Sequence, residues 1–369
     1  MTSEQLLPQP SPMRSMRPFF IMWGGQALSL LGSQIVQFAL IWWLTQETGS
    51  GTVLALASIA GLVPAVLFGP IAGVLVDRWN RRLTMMAMDA IVALATITLA
   101  LLFWSGSIQI WQVYAILFIR SLAGTFQQPA VQASTSLMVP EGQLSRIQGL
   151  NQMLQGALSI VAAPLGALLL SILPMQGVLS IDVVTACLAI GSLLFIAIPQ
   201  PERVETVNSE SSALLSLWSD LAEGFRYVRG WPAVMILIGL AMLINLVLSP
   251  SFVMLPLLVT EYFGGGVMQL GWIESAFGVG LLLGGIGLGV WGGFKRRIVT
   301  TLLGVIGLGI GVMTVGLTPP AFFAIAIAGT FVVGLMSAFT NGPTAASFQS
   351  TIEPSMQGRV FTLLSSGSM

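Results

Sequence analysis

Ten stretches of about 20 or more residues are almost wholly apolar, and each is bounded by a short polar break. They cover residues 18–44, 52–76, 83–104, 109–131, 147–172, 177–198, 231–259, 267–293, 298–317 and 320–342. Each is long enough to cross a hydrocarbon core of about 30 Å as a helix. Because only helices and closed barrels satisfy their backbone in lipid, the pattern predicts an all-α integral membrane protein. The breaks alternate in character. Those after the first, third, fifth, seventh and ninth stretch carry no Lys or Arg. The N-terminal tail and the other breaks hold all 14 Lys and Arg residues except Arg120. Retention of positive charge on the cytoplasmic side then places the N-terminus and the even-numbered breaks in the cytoplasm. The expected setting is the cell's inner, cytoplasmic membrane, crossed many times, with the lipid bilayer as the principal partner.

One break is long and divides the chain. Residues 1–17 read as a cytoplasmic tail, 18–198 as a six-helix bundle, 199–230 as a cytoplasmic linker and 231–369 as a second, incomplete bundle. In the linker Leu214, Leu217, Trp218, Leu221, Phe225 and Val228 recur at helical spacing, which predicts an amphipathic helix on the inner membrane surface. The halves repeat each other. Gly69-x-x-x-Gly73 before a basic break matches Gly285-x-x-x-Gly289 before another, and Pro129 and Pro140 match Pro343 and Pro354 at one common spacing. A same-orientation repeat of six helices is a transporter architecture. By that repeat Arg359, the counterpart of Arg146, opens an eleventh helix that only ten residues follow. The expected fold is two six-helix repeats, with about ten complete spans and a truncated eleventh, which makes residues 1–369 an incomplete transporter.

Composition narrows the function. Charged residues make up 8% of the chain and apolar ones 55%, against about 25% charged in a soluble domain, so a soluble enzyme is excluded. Zero net charge gives no support to nucleic-acid binding. The chain has no histidine, which removes His-based catalysis, His zinc sites and His proton relays together, and no metal site is expected. There is no phosphate-binding G-x-x-x-x-G-K-[ST] loop to drive an ATPase. The single cysteine, Cys187, is expected to be a buried, inert thiol. The first apolar run is too long for a secretory leader and lacks a small-residue cleavage site, so it reads as a span.

The few polar groups inside the spans carry the chemistry. Arg120 is the only Lys or Arg within a span, where it costs about 2.5–3.5 kcal/mol at a bilayer centre and must face protein or water. Gly124 and Gln127 follow it on one stripe. Asp89 lies about 10 Å into the third span, so an Arg120–Asp89 pair tying the third helix to the fourth stands beside a role in coupling. Glu274 is the other deep acid and has no partner within its helix, while Asp182 reads as lying near an outer helix end. A carboxylate alone in a low-dielectric site can load and release a proton. Asp89, Arg120 and Glu274 are therefore the proton-coupling candidates. Gln26, Ser29, Ser33 and Gln37 share one face of the first helix. With Arg120, Gln127, Asn245, Thr340 and Asn341 they are candidates for a wet central cavity between helices one, four, seven and ten, with helix–helix hydrogen bonding as the alternative. The Gly-x-x-x-Gly pairs predict close helix packing. Asp77 amid Arg78, Arg81 and Arg82 can sit at another helix's N-terminus and act as a latch that forms in one state and breaks in another.

These segments resemble the drug-efflux branch of the major facilitator superfamily. "GVLVDRWNRRL" at 73–83 is similar to its signature between helices two and three, with Asn80 where a glycine is usual. "RSLAG" at 120–124 is similar to its helix-four arginine motif. "AAPLGA" at 162–167, with Pro164 and Gly166, resembles the helix-five antiporter motif, with Ala163 in place of a glycine. Within the superfamily "WGGQALSLLGSQIVQFALIWWLT", "LFIRSLAGTFQQPA" and "SIDVVTACLAIGSLLFIAIP" resemble the macrolide-efflux proteins. The resemblance implies a monomeric secondary transporter without a cofactor. It would export amphiphilic, macrolide-like drugs against protons by rocking of two bundles, with Gly73, Asp77, Arg78, Arg81 and Arg82 as its conformational switch. The alternatives are a siderophore or metabolite exporter of the same superfamily and a non-transporting membrane protein.

Overall fold

A computed structural model describes residues 16–140, 143–198 and 232–351. The N-terminal tail before residue 16, the linker with its expected amphipathic helix, and residues 352–369, on which the truncated eleventh helix falls, lie outside the described residues. The described chain is ten long helices with no strand. They are α1 (Arg17–Thr48), α2 (Gly51–Arg78), α3 (Arg81–Trp104), α4 (Ile110–Met138), α5 (Leu144–Ile172), α6 (Met175–Leu194), α7 (Pro232–Leu257), α8 (Val267–Trp291), α9 (Arg297–Leu317) and α10 (Phe323–Thr351). Nine of these are long and apolar enough to span a membrane. The exception is α4, where Arg120, Gln127 and Gln128 lower the hydropathy although its 29 residues extend about 44 Å.

Each expected span is found as a helix, and most helices run past the apolar core by about a turn. Two terminations have clear local causes. Asn80, at the position where the resemblance leads one to expect glycine, caps α3: its side chain accepts from the Leu83 N–H at 3.2 Å. Helix α7 contains Pro250 and Pro256 and passes into a π turn at Leu258–Tyr262. A proline removes a backbone donor and crowds the preceding turn, which favours this re-registering.

The packing repeats as the sequence does. In the first half α4 packs against α2 and α3; in the second α10 packs against α8 and α9. The second half uses glycine for this. A Cβ on Gly280 or Gly284 of α8 would strike the Phe331 or Leu335 backbone of α10, and one on Gly334 of α10 would strike Phe277 of α8. The pairs singled out from the sequence behave otherwise. Among the described residues nothing lies within 4 Å of a Cβ at Gly69, Gly73, Gly285 or Gly289, so the expected close packing is not found against the described helices. Cys187 is also corrected: it is exposed on α6. An apolar face of a spanning helix has lipid as its solvent, so an apolar setting does not imply burial in protein.

The two halves meet away from the basic breaks. Phe38 of α1 and Ala163 and Ala167 of α5 pack with Leu255 of α7, Val259 of the π turn, Leu270 and Ile273 of α8 and Ala326 of α10. Gly271 and Gly278 let α8 lie directly on α5, and Gly51 of α2 faces Met254 of α7. Toward the end that carries Arg146, Lys295 and Arg296, here called the basic end, α5, α8 and α10 separate around a cavity of about 850 Å³. The described residues thus pack across the two halves at one end and leave this cavity between α5, α8 and α10 toward the basic end.

Candidate functional site

The polar residues of the first bundle form two layers, two helical turns apart. Nearer the basic end, Asp89 of α3 accepts three hydrogen bonds. They come from Gln26 Nε2 at 2.9 Å, Ser29 Oγ at 3.0 Å and Gln127 Nε2 at 2.8 Å. Gln127 also donates to Gln26 Oε1 at 2.7 Å. Every partner of Asp89 is a neutral donor, and a carboxylate is an acceptor only.

Seven residues further along α3, and seven earlier along α4, lies the second layer. Arg120 Nη1 pairs with Asp182 Oδ2 of α6 at 2.5 Å and donates to Thr96 Oγ1. Thr96 and Ser33 donate to Asp182 at 2.8 and 3.1 Å. The Arg120 side chain is 8% exposed and that of Asp182 is not exposed at all. The partner of Arg120 is therefore Asp182 and not Asp89, and Asp182 is not at an outer helix end. Gly32 brings α1 onto Asp182 and Thr185, which turns the Asp182 side of α6 inward. Asp182 and Thr96 are the residues of this site that the sequence reading missed. Asp182 is the one acid in the sixth span, which was the available signal.

Gln37 lies on the same sequence stripe as Gln26, Ser29 and Ser33 but serves another site. A cleft of about 220 Å³ between α1, α5 and α8 is lined by Gln34, Gln37, Phe38, Ser159 and Glu274, among others. Glu274 is half-buried, and no hydrogen bond or ion pair reaches its carboxylate among the described residues. One residue on, Ser275 Oγ donates to Ile160 O of α5 at 3.2 Å, which pins α8 beside the cleft. Ser159 lines this cleft and also the larger cavity, so the two spaces adjoin at that residue. Gln34 and Ser159 were not anticipated from the sequence.

The other expected residues disperse. Asn341 lines the larger cavity. Thr340 is buried and donates to Met336 O within α10 at 3.0 Å. Asn245 is exposed on α7 and lines neither space. Gly166 faces Phe38 of α1, and Pro164 backs onto Gly271 of α8, so the helix-five segment forms part of the boundary between halves. In the basic cluster Arg82 Nη2 donates to Leu194 O, the last residue of α6, at 2.7 Å, and Arg81 Nη1 to Ala133 O of α4 at 3.4 Å. Arg82 thus completes a helix C-terminus, where unsatisfied carbonyls and the dipole favour a cation. The Asp77 side chain lies outside the described ones. No group of three or more Cys, Asp or Glu able to hold a metal occurs among the described residues.

The comparisons with known proteins agree with this architecture. The chain is 35% identical over 349 residues to macrolide efflux protein A of Streptococcus pyogenes, covering 94% of this chain and 85% of that protein. It is 27% identical to the multidrug efflux pump Tap of Mycolicibacterium fortuitum, over 91% of this chain and 81% of that protein. Among solved structures it is similar to a bacterial homolog of the human lysosomal transporter Spinster in an inward-facing and unoccupied conformation. That match has a TM-score of 0.69 and 13% identity, and covers 95% of this chain and 79% of that one. It is also similar to a D-xylose-proton symporter, with a TM-score of 0.67 and 11% identity over 95% and 86% of the two chains. The profile of the Major Facilitator Superfamily matches residues 22–369, and the chain belongs to that superfamily of membrane transporters.

Proposed function

We propose that this transporter exports amphiphilic, macrolide-like compounds from the cytoplasm across the cell membrane, in exchange for protons, by alternating access. The observation that carries the reading is the cavity of about 850 Å³ between α5, α8 and α10. It has the volume of a drug-sized site, and its walls are mainly Leu, Ile, Met, Phe and Gly with a few amides. It opens at the end that bears the Lys and Arg residues, which the positive-inside rule assigns to the cytoplasm. The relatives named for macrolide and multidrug efflux support the substrate class.

Two carboxylates are the candidates to carry the proton. Asp89 sits in a ring of neutral donors, and Glu274 lines the cleft that adjoins the cavity, with no partner among the described residues. Arg120 is already neutralised by Asp182, which makes it a structural neighbour of the coupling site. The test is accumulation of a labelled macrolide, supplied in the outside medium, by energised everted membrane vesicles. Uptake into the vesicles is expected to collapse on addition of a protonophore. Glu274→Gln or Asp89→Asn is expected to abolish drug-driven proton release while the protein remains in the membrane. If neither substitution alters proton release or its pH dependence, proton coupling through these acids is wrong. Export of a metal-chelating or polar metabolite instead of the macrolide would move the substrate to the alternative class.

The basic cluster then acts on the equilibrium between the two openings. Among the described residues nothing lies within 4 Å of a Cβ built on Gly73, so in this reading its missing side chain serves the state in which that end is closed. Asp77, one turn further on, is the group that would hold the closed state at a facing helix N-terminus. A charge–dipole contact of about 1 kcal/mol shifts such an equilibrium about fivefold. Asp77→Asn is therefore expected to slow export about that much with unchanged membrane abundance. Wild-type transport by the variant would reduce the cluster to a topology signal.

A further inference from the structure

We infer that Asp89 and the three side chains around it form a site for one dehydrated sodium ion, which competes there with the proton. This rests on the reading of Asp89 as a coupling residue and adds a second ion to it. The argument starts from charge balance. Asp89 is 1% exposed, and Gln26 and Ser29 beside it are each 5% exposed. Its partners are neutral donors, which satisfy lone pairs without cancelling the charge. The basic groups on the surrounding helices are engaged elsewhere or lie at helix ends. Arg120 of α4 pairs with Asp182 of α6. Arg81 and Arg82, at the start of α3, donate to Ala133 O and Leu194 O. Arg17 opens α1, nine residues before Gln26. A buried carboxylate in that setting needs a counter-charge from outside the protein.

The ring already holds the ligands for such an ion. Gln26 Nε2 donates to Asp89 Oδ2 at 2.9 Å, and Gln127 Nε2 donates to Asp89 Oδ1 at 2.8 Å and to Gln26 Oε1 at 2.7 Å. Turning both amides through a half-circle exchanges nitrogen for oxygen with almost no change of shape. The bond between the amides is then kept with its direction reversed, because Gln26 Nε2 now donates to Gln127 Oε1. The same turn brings both amide oxygens to face the carboxylate. The Ser29 hydroxyl can pass its proton to the Gly25 carbonyl, one turn back along α1, and present its oxygen. Two carboxylate, two amide and one hydroxyl oxygen then surround one point between α1, α3 and α4. Carboxylate and carbonyl oxygens suit hard cations. One carboxylate cancels one monovalent charge, whereas a divalent ion would leave an excess positive charge in a site almost without exposed surface. Contacts of 2.7–3.0 Å hold the ligands close together, which favours sodium over the larger potassium. Proton and sodium answer the same charge, so binding of one excludes the other.

The experiment is binding of radiolabelled sodium to the purified full chain in detergent, with choline chloride holding the ionic strength constant. The wild-type protein is expected to take up sodium saturably, with potassium a weaker competitor and with binding weakened as the pH is lowered. Asp89→Asn is expected to abolish saturable binding. If that variant is not recovered as monodisperse protein, Gln127→Leu, which removes one ligand oxygen and keeps the volume, is expected to weaken binding about tenfold or more, the scale of one bond to a charged group. Absence of saturable uptake, displacement by potassium as effective as by unlabelled sodium, or undiminished binding in the recovered variant overturns the inference. The vesicle assay fails separately. Sodium binding without macrolide export removes the substrate reading and leaves the site, whereas protonophore-sensitive export without sodium binding removes the site and leaves Asp89 as a candidate proton carrier alone.

Discussion

Asp182→Asn is expected to destabilise the first bundle by about 3–5 kcal/mol, the cost of leaving one member of a buried ion pair without its partner. Asp182 has no exposed surface and receives Arg120, Thr96 and Ser33 together. After the substitution the guanidinium keeps the Thr96 hydroxyl and the distant Ser33 carbonyl at 3.4 Å, in a region almost without exposed surface. Membrane abundance should fall sharply, and the solubilised fraction should elute as aggregate in size-exclusion chromatography. The double variant Arg120→Met with Asp182→Leu removes both charges and keeps the volume, so it is expected to recover most of the abundance. Recovery of abundance without export would assign the pair a part in transport beyond packing. A neutral effect of the single variant would mean that the pair is wet or already broken in the protein's resting state.

That pair also shows what the sequence could and could not reveal. The spans were legible because lipid imposes a simple rule: a run of apolar residues of sufficient length, bounded by charge. The inward position of Arg120 was legible for the same reason, since a guanidinium cannot face hydrocarbon. Its partner was not. Asp89 and Asp182 are both acids well inside their spans, and the choice between them depends on how α3 and α6 are rotated about their own axes. Gly32, which seats α1 on Asp182, fixes part of that rotation, and nothing in the spacing of charges does. The stripe from Gln26 to Gln37 was legible as one face of α1, yet a straight stripe crosses from the bundle interior to the boundary between halves. Gln26, Ser29 and Ser33 therefore bind acids of the first bundle, while Gln37 lines the cleft at the boundary that Glu274 also lines. The cleft itself could not be read from the sequence, because it is made by α1, α5 and α8 together and two of its polar residues, Gln34 and Ser159, carry no charge to mark them.

The glycines of α8 pose the same problem of rotation, and a paired substitution resolves it. Gly280-x-x-x-Gly284 and Gly285-x-x-x-Gly289 are adjacent in sequence and equivalent as patterns, but they point to different sides of the helix. A Cβ at Gly280 would lie 2.8 Å from Leu335 N and closer still to Phe331 O of α10, whereas nothing lies within 4 Å of one at Gly285. Backbone atoms cannot rotate aside as a flexible side chain can, so a larger residue at position 280 must push α10 away along the whole contact. With no hydrophobic drive between helices in lipid, that contact holds by van der Waals packing alone. Gly280→Leu is therefore expected to cost about 3 kcal/mol or more. It should lower the apparent melting temperature in detergent by about 6–10 °C. Gly285→Leu is expected to leave the melting temperature within about 1 °C, yet to weaken binding of a large amphiphile, because its side chain would enter the cavity between α5, α8 and α10. Equal thermal shifts for the two variants would show that the α8–α10 face is not the one that holds the second half together.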